Sequence, residues 1–151
     1  MAELIEVGAE APAFSLPTAD GETFSLEDAR GTSRPLLIFY PKDFTPGCLL
    51  QLRAINKAID DLRAADITPY GVNPGDAASH QRFESMLGLT YPLLVDGERE
   101  VAAAYGALKD NGKSIQRSVV LVGKDGKVAF AKRGAPSWEL ILEALKTVED
   151  A

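Results

Sequence analysis

The chain has one cysteine, Cys48, and one histidine, His80. The thiol closes the stretch Pro41-Lys-Asp-Phe-Thr45-Pro-Gly-Cys48, and Leu52, Ile55, Ile59 and Leu62 follow it at steps of four, three, four and three. That spacing predicts an amphipathic helix beginning at or near the cysteine, with Arg53, Asn56, Lys57, Asp60 and Asp61 off the apolar stripe. A thiol in a first helical turn faces unpaired backbone N–H groups and the positive end of the helix dipole, and both favour thiolate over thiol. The thiolate is the nucleophile, so position alone predicts a reactive sulfur. The competing reading is a small core residue, because Cys48 lies on the stripe and free cysteine is commonly buried. Thr45 offers a hydroxyl beside the sulfur as donor and acceptor, while Pro41 and Pro46 restrict the loop and remove two N–H groups. Taken singly, each of these is also ordinary turn chemistry.

Other chemistry-bearing signals are weaker. Gly106 to Ser114 has the look of a phosphate loop, but five residues separate Gly106 from Gly112 where the motif requires four, and a strand pattern follows where a helix should. His80 lies on a helix pattern with polar neighbours and reads as a surface or capping residue. Asp60 and Asp61 are adjacent on a helix and do not face each other. Lys124, Lys127, Lys132 and Arg133 read as a solvated edge protected by charge, and Trp138 reads as packing.

The elements that must position the loop follow from periodicity. Ala13–Leu16 and Glu22–Leu26 flank Asp20-Gly21 and predict a hairpin. Pro35-Leu-Leu-Ile-Phe-Tyr40 is a continuous apolar run of strand length, as expected for a central strand covered on both faces. Ile67–Val72 is a second strand, and Asp76 is a suitable N-cap for a helix to Leu87. Leu93–Val95 reads as a short extended piece and Glu98–Tyr105 as a short helix. Ser118–Val122 and Lys127–Ala131 flank Asp125-Gly126 as a second hairpin, and a last helix spans Pro136–Val148, with Pro136 near its first turn and Trp138, Ile141, Leu142 and Leu145 on one stripe. Alternation followed by a hairpin and helix predicts a three-layer α/β domain with a mixed sheet.

The chain of 151 residues is expected to form one domain with a core large enough to need no staples. A net charge of −6 disfavours nucleic acid and anionic membrane surfaces as partners. One cysteine excludes an internal disulfide, and one cysteine with one histidine excludes a Cys/His zinc site, so a cytoplasmic setting is expected.

Pro41-x-x-x-Thr45-x-x-Cys48 resembles the active-site motif of the peroxiredoxins, and Tyr40-Pro-Lys-Asp-Phe-Thr-Pro-Gly-Cys48 resembles their bacterioferritin-comigratory-protein or PrxQ branch. The likeness continues through the opening hairpin, the section from His80 to Ala107 and the terminal hairpin from Ile115. It implies a thioredoxin-like three-layer sandwich with an N-terminal hairpin extension, acting as a thiol-dependent peroxidase without metal, haem, flavin or selenium. Cys48 would be the peroxidatic nucleophile, Thr45 would orient the peroxide, Pro41 would screen the thiolate and Arg117 would stabilise charge. The N–H groups of Gly47 and Cys48, and with less weight the carbonyl of Tyr40, would contact substrate. Two positions depart from the family's usual pattern. Arg53 stands where many PrxQ-like proteins have a resolving cysteine, which implies a 1-Cys cycle completed by thioredoxin, glutaredoxin, glutathione or another external thiol. Gln51 stands where a glutamate commonly pairs with the arginine, so none of the Arg117 charge is neutralised there. The family likeness slightly favours a monomer, with a dimer as the alternative state. A peroxide sensor or redox relay that passes oxidation to a partner is the alternative function.

Overall fold

The computed structural model describes residues 3–148. β1 (Ser15–Pro17) and β2 (Thr23–Ser25) form the antiparallel opening hairpin, followed by one helical turn, α1 (Leu26–Ala29), absent from the periodicity reading. The body then runs β3 (Arg34–Phe39), α2 (Pro46–Lys57), α3 (Ile59–Ala64), β4 (Ile67–Asn73), α4 (Ala77–Leu87), β5 (Leu93–Val95), α5 (Glu100–Ala104), β6 (Ser118–Val122), β7 (Val128–Arg133) and α6 (Trp138–Lys146). Five strands form one mixed sheet in the order β5-β4-β3-β6-β7. β3 is parallel to β4 and antiparallel to β6, and this pairing decides which chain ends meet at the site.

The apolar run of β3 is central because both its faces are covered. Leu36, Ile38 and Tyr40 point to a layer that includes Leu52 and Ile55 of α2, Phe83 of α4 and Ile141 of α6. Leu37 and Phe39 point the other way, to Leu26, Val101, Ala102 and Tyr105, with Phe14, Leu16 and Phe24 of the hairpin region at the margin. The layers are those of the expected thioredoxin-like sandwich.

Several boundaries differ from the sequence expectation. The stripe from Cys48 to Leu62 is carried by two helices, because Ala58, at φ −94° and ψ 12°, breaks the run between α2 and α3. The final strand starts and ends later than predicted, and its register against β6 shifts between Leu121 and Val122. Ser137 caps α6 by accepting from the Leu140 N–H, so Pro136 precedes the cap rather than sitting in the first turn. Asp76 caps α4 as expected, accepting from the Ser79 N–H. In the terminal basic cluster Lys127 and Lys132 are exposed on the hairpin, whereas Lys124 pairs with Asp66 and half-buried Arg133 bonds the Gly106 carbonyl and Ser118.

Candidate active site

β3 ends by passing the chain into the loop 41–45, and Thr45, with extended φ −86° and ψ 144°, is the N-cap residue of α2. Pro46 takes the first helical position, where its missing N–H costs nothing. Cys48 is therefore the third helical residue. No side chain among the described residues caps this helix, because the Thr45 hydroxyl donates to the Lys42 carbonyl at 2.8 Å. The hydroxyl oxygen keeps its acceptor capacity, and the first-turn N–H groups keep theirs as donors.

Arg117 arrives from the other chain direction. Phe39 is opposite Ser118 in the antiparallel pair, so the residue before Ser118 lies beside the exit of β3. Its guanidinium forks: Nη2 donates to Cys48 Sγ at 3.3 Å and Nη1 donates to Gln51 Oε1 at 2.6 Å. A Cβ on Gly47 would lie 3.3 Å from that same Nη2, tighter than ordinary contact, so the glycine makes room for the guanidinium over the helix end. Gln51 is buried, and its Nε2 has no hydrogen-bond partner among the described residues. Leaving such a donor unpaired costs about 1–3 kcal/mol. Cys48 is itself fully buried, as the core-residue reading expected, but its bonded partner Arg117 is only half-buried and Pro46 and Gly47 are exposed. The sulfur has no exposure of its own, while three of the residues around it reach the surface. Pro41 is exposed, and Arg53, at the position where a second cysteine would stand, is exposed on α2.

Sequence reasoning misplaced His80. It is neither a surface nor a capping residue: it has no exposure and its Nδ1 lies 2.7 Å from Asp43 Oδ2, in the middle of the reactive loop. Asp43 Oδ1 also accepts from the Tyr40 hydroxyl, and Oδ2 from the Ser79 hydroxyl, both at 2.6 Å. His80 Nε2 faces the Leu94 carbonyl at 3.1 Å and that of Asn73 at 3.4 Å. Burial pushes the Asp43 carboxyl up, but the bonds from His80, Ser79 and Tyr40 outweigh it and the net shift is downward. For His80 burial pushes downward, yet the bond and charge of Asp43, with the two carbonyls, carry it above its ordinary value. Burial, followed by the Asp43 charge, raises Tyr40 far above the tyrosine range, so its hydroxyl remains a donor. The available sequence signal was the spacing of His80 with Phe83 and Leu87, which puts the ring on the inward stripe of α4. The Tyr40 carbonyl, expected to reach substrate, accepts from Asn73 Nδ2 at 2.8 Å.

Phe44, between Asp43 and Thr45, has φ 65°. That left-handed conformation strains a bulky residue by on the order of 1–3 kcal/mol. Its ring is 45% exposed and packs 5.0 Å from Phe83, so the loop is fixed by contacts on either side of a strained residue. A cavity of about 140 Å³ elsewhere, bounded by Leu26, Arg30 and Val122, contains none of these residues.

Residues 7–131 match the AhpC/TSA family. The chain is 35% identical over 152 residues to peroxiredoxin Bcp of Bacillus subtilis, covering 97% of this chain and 96% of that protein. It is 40% identical over 131 residues to a Mycobacterium tuberculosis protein named as a peroxiredoxin, covering 83% of each. A solved structure of the Xanthomonas campestris bacterioferritin comigratory protein, described with its alkyl peroxide reduction activity, superposes with a TM-score of 0.83 at 28% identity, over 94% of this chain and 98% of that one.

Proposed function

The chain belongs to the AhpC/TSA family, among the Bcp and PrxQ peroxiredoxins, and on that premise we propose that it runs a 1-Cys peroxidase cycle on Cys48. Peroxiredoxins are thiol-dependent peroxidases, so a hydroperoxide and a thiol reductant are its substrates. The observation that carries the assignment of Cys48 is the guanidinium of Arg117 on a sulfur in the first turn of α2. Both features favour negative charge on sulfur and on the oxygens that develop charge as the peroxide bond breaks.

The Cys48 thiolate attacks the terminal oxygen of ROOH. The O–O bond breaks, the RO⁻ fragment leaves as alcohol or water after taking a proton, and the sulfur is oxidised to sulfenic acid. Thr45 orients the peroxide, the Gly47 and Cys48 N–H groups hold its oxygens, and Pro41 limits water at the sulfur. Gln51 holds Arg117 without neutralising it. The Tyr40 carbonyl, already accepting from Asn73, has a lesser part. Cys48 is the only cysteine in the chain, so the sulfenic acid is attacked by an external thiol. Water leaves, a mixed disulfide forms, and a second thiol releases Cys48 with a disulfide as product. The likeness to a protein described with alkyl peroxide reduction extends the substrates to organic hydroperoxides.

Complete burial of Cys48 favours a second reading, a sensor whose oxidised sulfur is shielded from free reductants and passes its oxidation to a docked partner. Steady peroxide consumption with dithiothreitol, thioredoxin or glutathione supports the cycle; one fast oxidation followed by a stall supports the sensor. In either case stoichiometric hydrogen peroxide adds one oxygen, trappable by dimedone, excess peroxide adds two, and Cys48→Ser abolishes both. A wild-type chain whose mass is unchanged by peroxide rejects both readings.

A further inference from the structure

Asp43 and His80 take no part in the chemistry above, although Asp43 lies two residues before Thr45 in the loop and its carboxylate is the anchor for three donors. Carbonyl oxygens only accept, so the nitrogen facing Leu94 and Asn73 carries a proton. The nitrogen facing the carboxylate donates as well, and the ring is an imidazolium. A neutral ring has one N–H and cannot serve both sides. The other groups facing the pair are Tyr40 just after β3, the Ser79 hydroxyl and Glu84 from α4, and carbonyls from β4 and β5. The Glu84 carboxylate is itself bonded to the Leu93 N–H.

We propose that Asp43 and His80 are positioning residues for Cys48: their buried ion pair holds the loop 41–45 in the strained conformation that seats the first turn of α2 against Arg117. The inference rests on the peroxidase reading of Cys48. Phe44 follows Asp43 directly and adopts a backbone conformation that a bulky residue leaves when it can. With Asp43 released, the strain at Phe44 relaxes toward negative φ, and the displacement passes through Thr45 into the helix start. The Cys48 Sγ to Arg117 contact is then lost without any change in either residue.

The test compares the full-length wild type with His80→Gln. One readout is the rate at which hydrogen peroxide oxidises Cys48, followed by intact mass over about pH 5 to 9; the other is amide hydrogen exchange in residues 42–49, which needs no peroxide. At about pH 6, His80→Gln oxidises at least about tenfold more slowly and exchanges in 42–49 at least about tenfold faster, with β6 unchanged. The ratio of the wild-type rate to the His80→Gln rate falls toward one at higher pH, as His80 loses its proton. Adding Asp43→Asn costs no more than about a further twofold, because the pair acts as one unit. A wild-type rate profile and wild-type loop exchange in His80→Gln overturn the proposal. Ser79→Ala, at a half-buried position, removes one donor and serves if His80→Gln does not fold: about a two- to fivefold change in both readouts is expected, and no change overturns the proposal. Failure of the peroxidase reading shows separately, as a wild-type Cys48 that peroxide leaves unoxidised, and loop exchange then decides the positioning role alone.

Discussion

Replacing Gln51 with glutamate adds a negative charge beside Cys48 at constant side-chain length. Residues three apart on a helix share a face at about 5–6 Å, and here both bond one guanidinium, at 2.6 and 3.3 Å. Two like charges about 6 Å apart cost about 3 kcal/mol at an effective dielectric constant of about 20. Arg117 is half-exposed, so water screens part of this, leaving about 1–2 kcal/mol against forming the thiolate. At 1.36 kcal/mol per tenfold, the oxidation rate of Gln51→Glu falls about five- to thirtyfold at the acidic end of the profile. The difference between the two rates narrows as the pH rises. The carboxylate gains an ion pair with Arg117 but puts an oxygen where Nε2 has no partner among the described residues, so thermal stability changes little while the rate falls. Peroxide oxidation of Cys48 from about pH 4 to 9, with a melting curve for each protein, checks both. Superposable rate profiles, or a loss uniform across pH, would refute the charge argument.

Arg117→Lys keeps the charge but not the fork, and one ammonium cannot reproduce both bonds. We expect about a tenfold slower oxidation, and about a hundredfold for Arg117→Met, read by intact mass after stoichiometric peroxide. The Asp43–His80 pair gives a pH window of stability. Asp43 is depressed, so its contribution is complete above its ordinary value of 3.8 and is lost as pH falls through its folded value. His80 is raised, so its contribution is complete below its ordinary 6.5 and is lost as pH rises through its folded value. Urea midpoints should therefore peak from about pH 4 to 6.5, and Asp43→Asn should flatten that peak. A flat wild-type profile would contradict the assignment. Phe83→Ala empties a fully buried site and removes the ring under Phe44; a loss of about 3–5 kcal/mol in urea unfolding is expected, and under about 1 kcal/mol would show that α4 repacks.

The loop and its thiol were legible because their signals are local. Cys48 opens a stripe, Pro41 and Pro46 restrict the stretch before it, and the apolar run of β3 alternates between two covered faces, although the helix starts at Pro46, two residues ahead of the cysteine. Residues that act across the fold were not legible in that way. His80 looks polar among Ser79 and Gln81, and nothing within α4 reveals a carboxylate 37 residues earlier that makes its burial tolerable. The break at Ala58 was hidden because the apolar steps continue through it into α3. Gln51 was visible as a departure from the family pattern, but its unpaired amide depends on the orientation imposed by Arg117.

A sulfur with no exposure is a costly place for negative charge unless donors replace the lost water. Here the donors come from strand register rather than from loop contacts alone. β3 leaves the sheet where the antiparallel β6 enters it, so Arg117 is delivered to the start of α2 by the same pairing that places Phe39 opposite Ser118. The parallel strand β4 ends at that edge with Asn73, and β5 supplies the Leu94 carbonyl that fixes the far side of His80. A one-residue slip of β6 would turn Arg117 to the other face of the sheet, so the charge at the sulfur is as secure as the register itself. Stability and reactivity are then separable by position. Changes in the core at a distance from this edge lower the unfolding free energy while leaving the rate intact until the sheet melts. Changes at Phe44 or Gln51 move the rate at nearly constant sheet stability, because they act on the few residues between a fixed strand end and a fixed helix, whereas a change at Asp43 moves both.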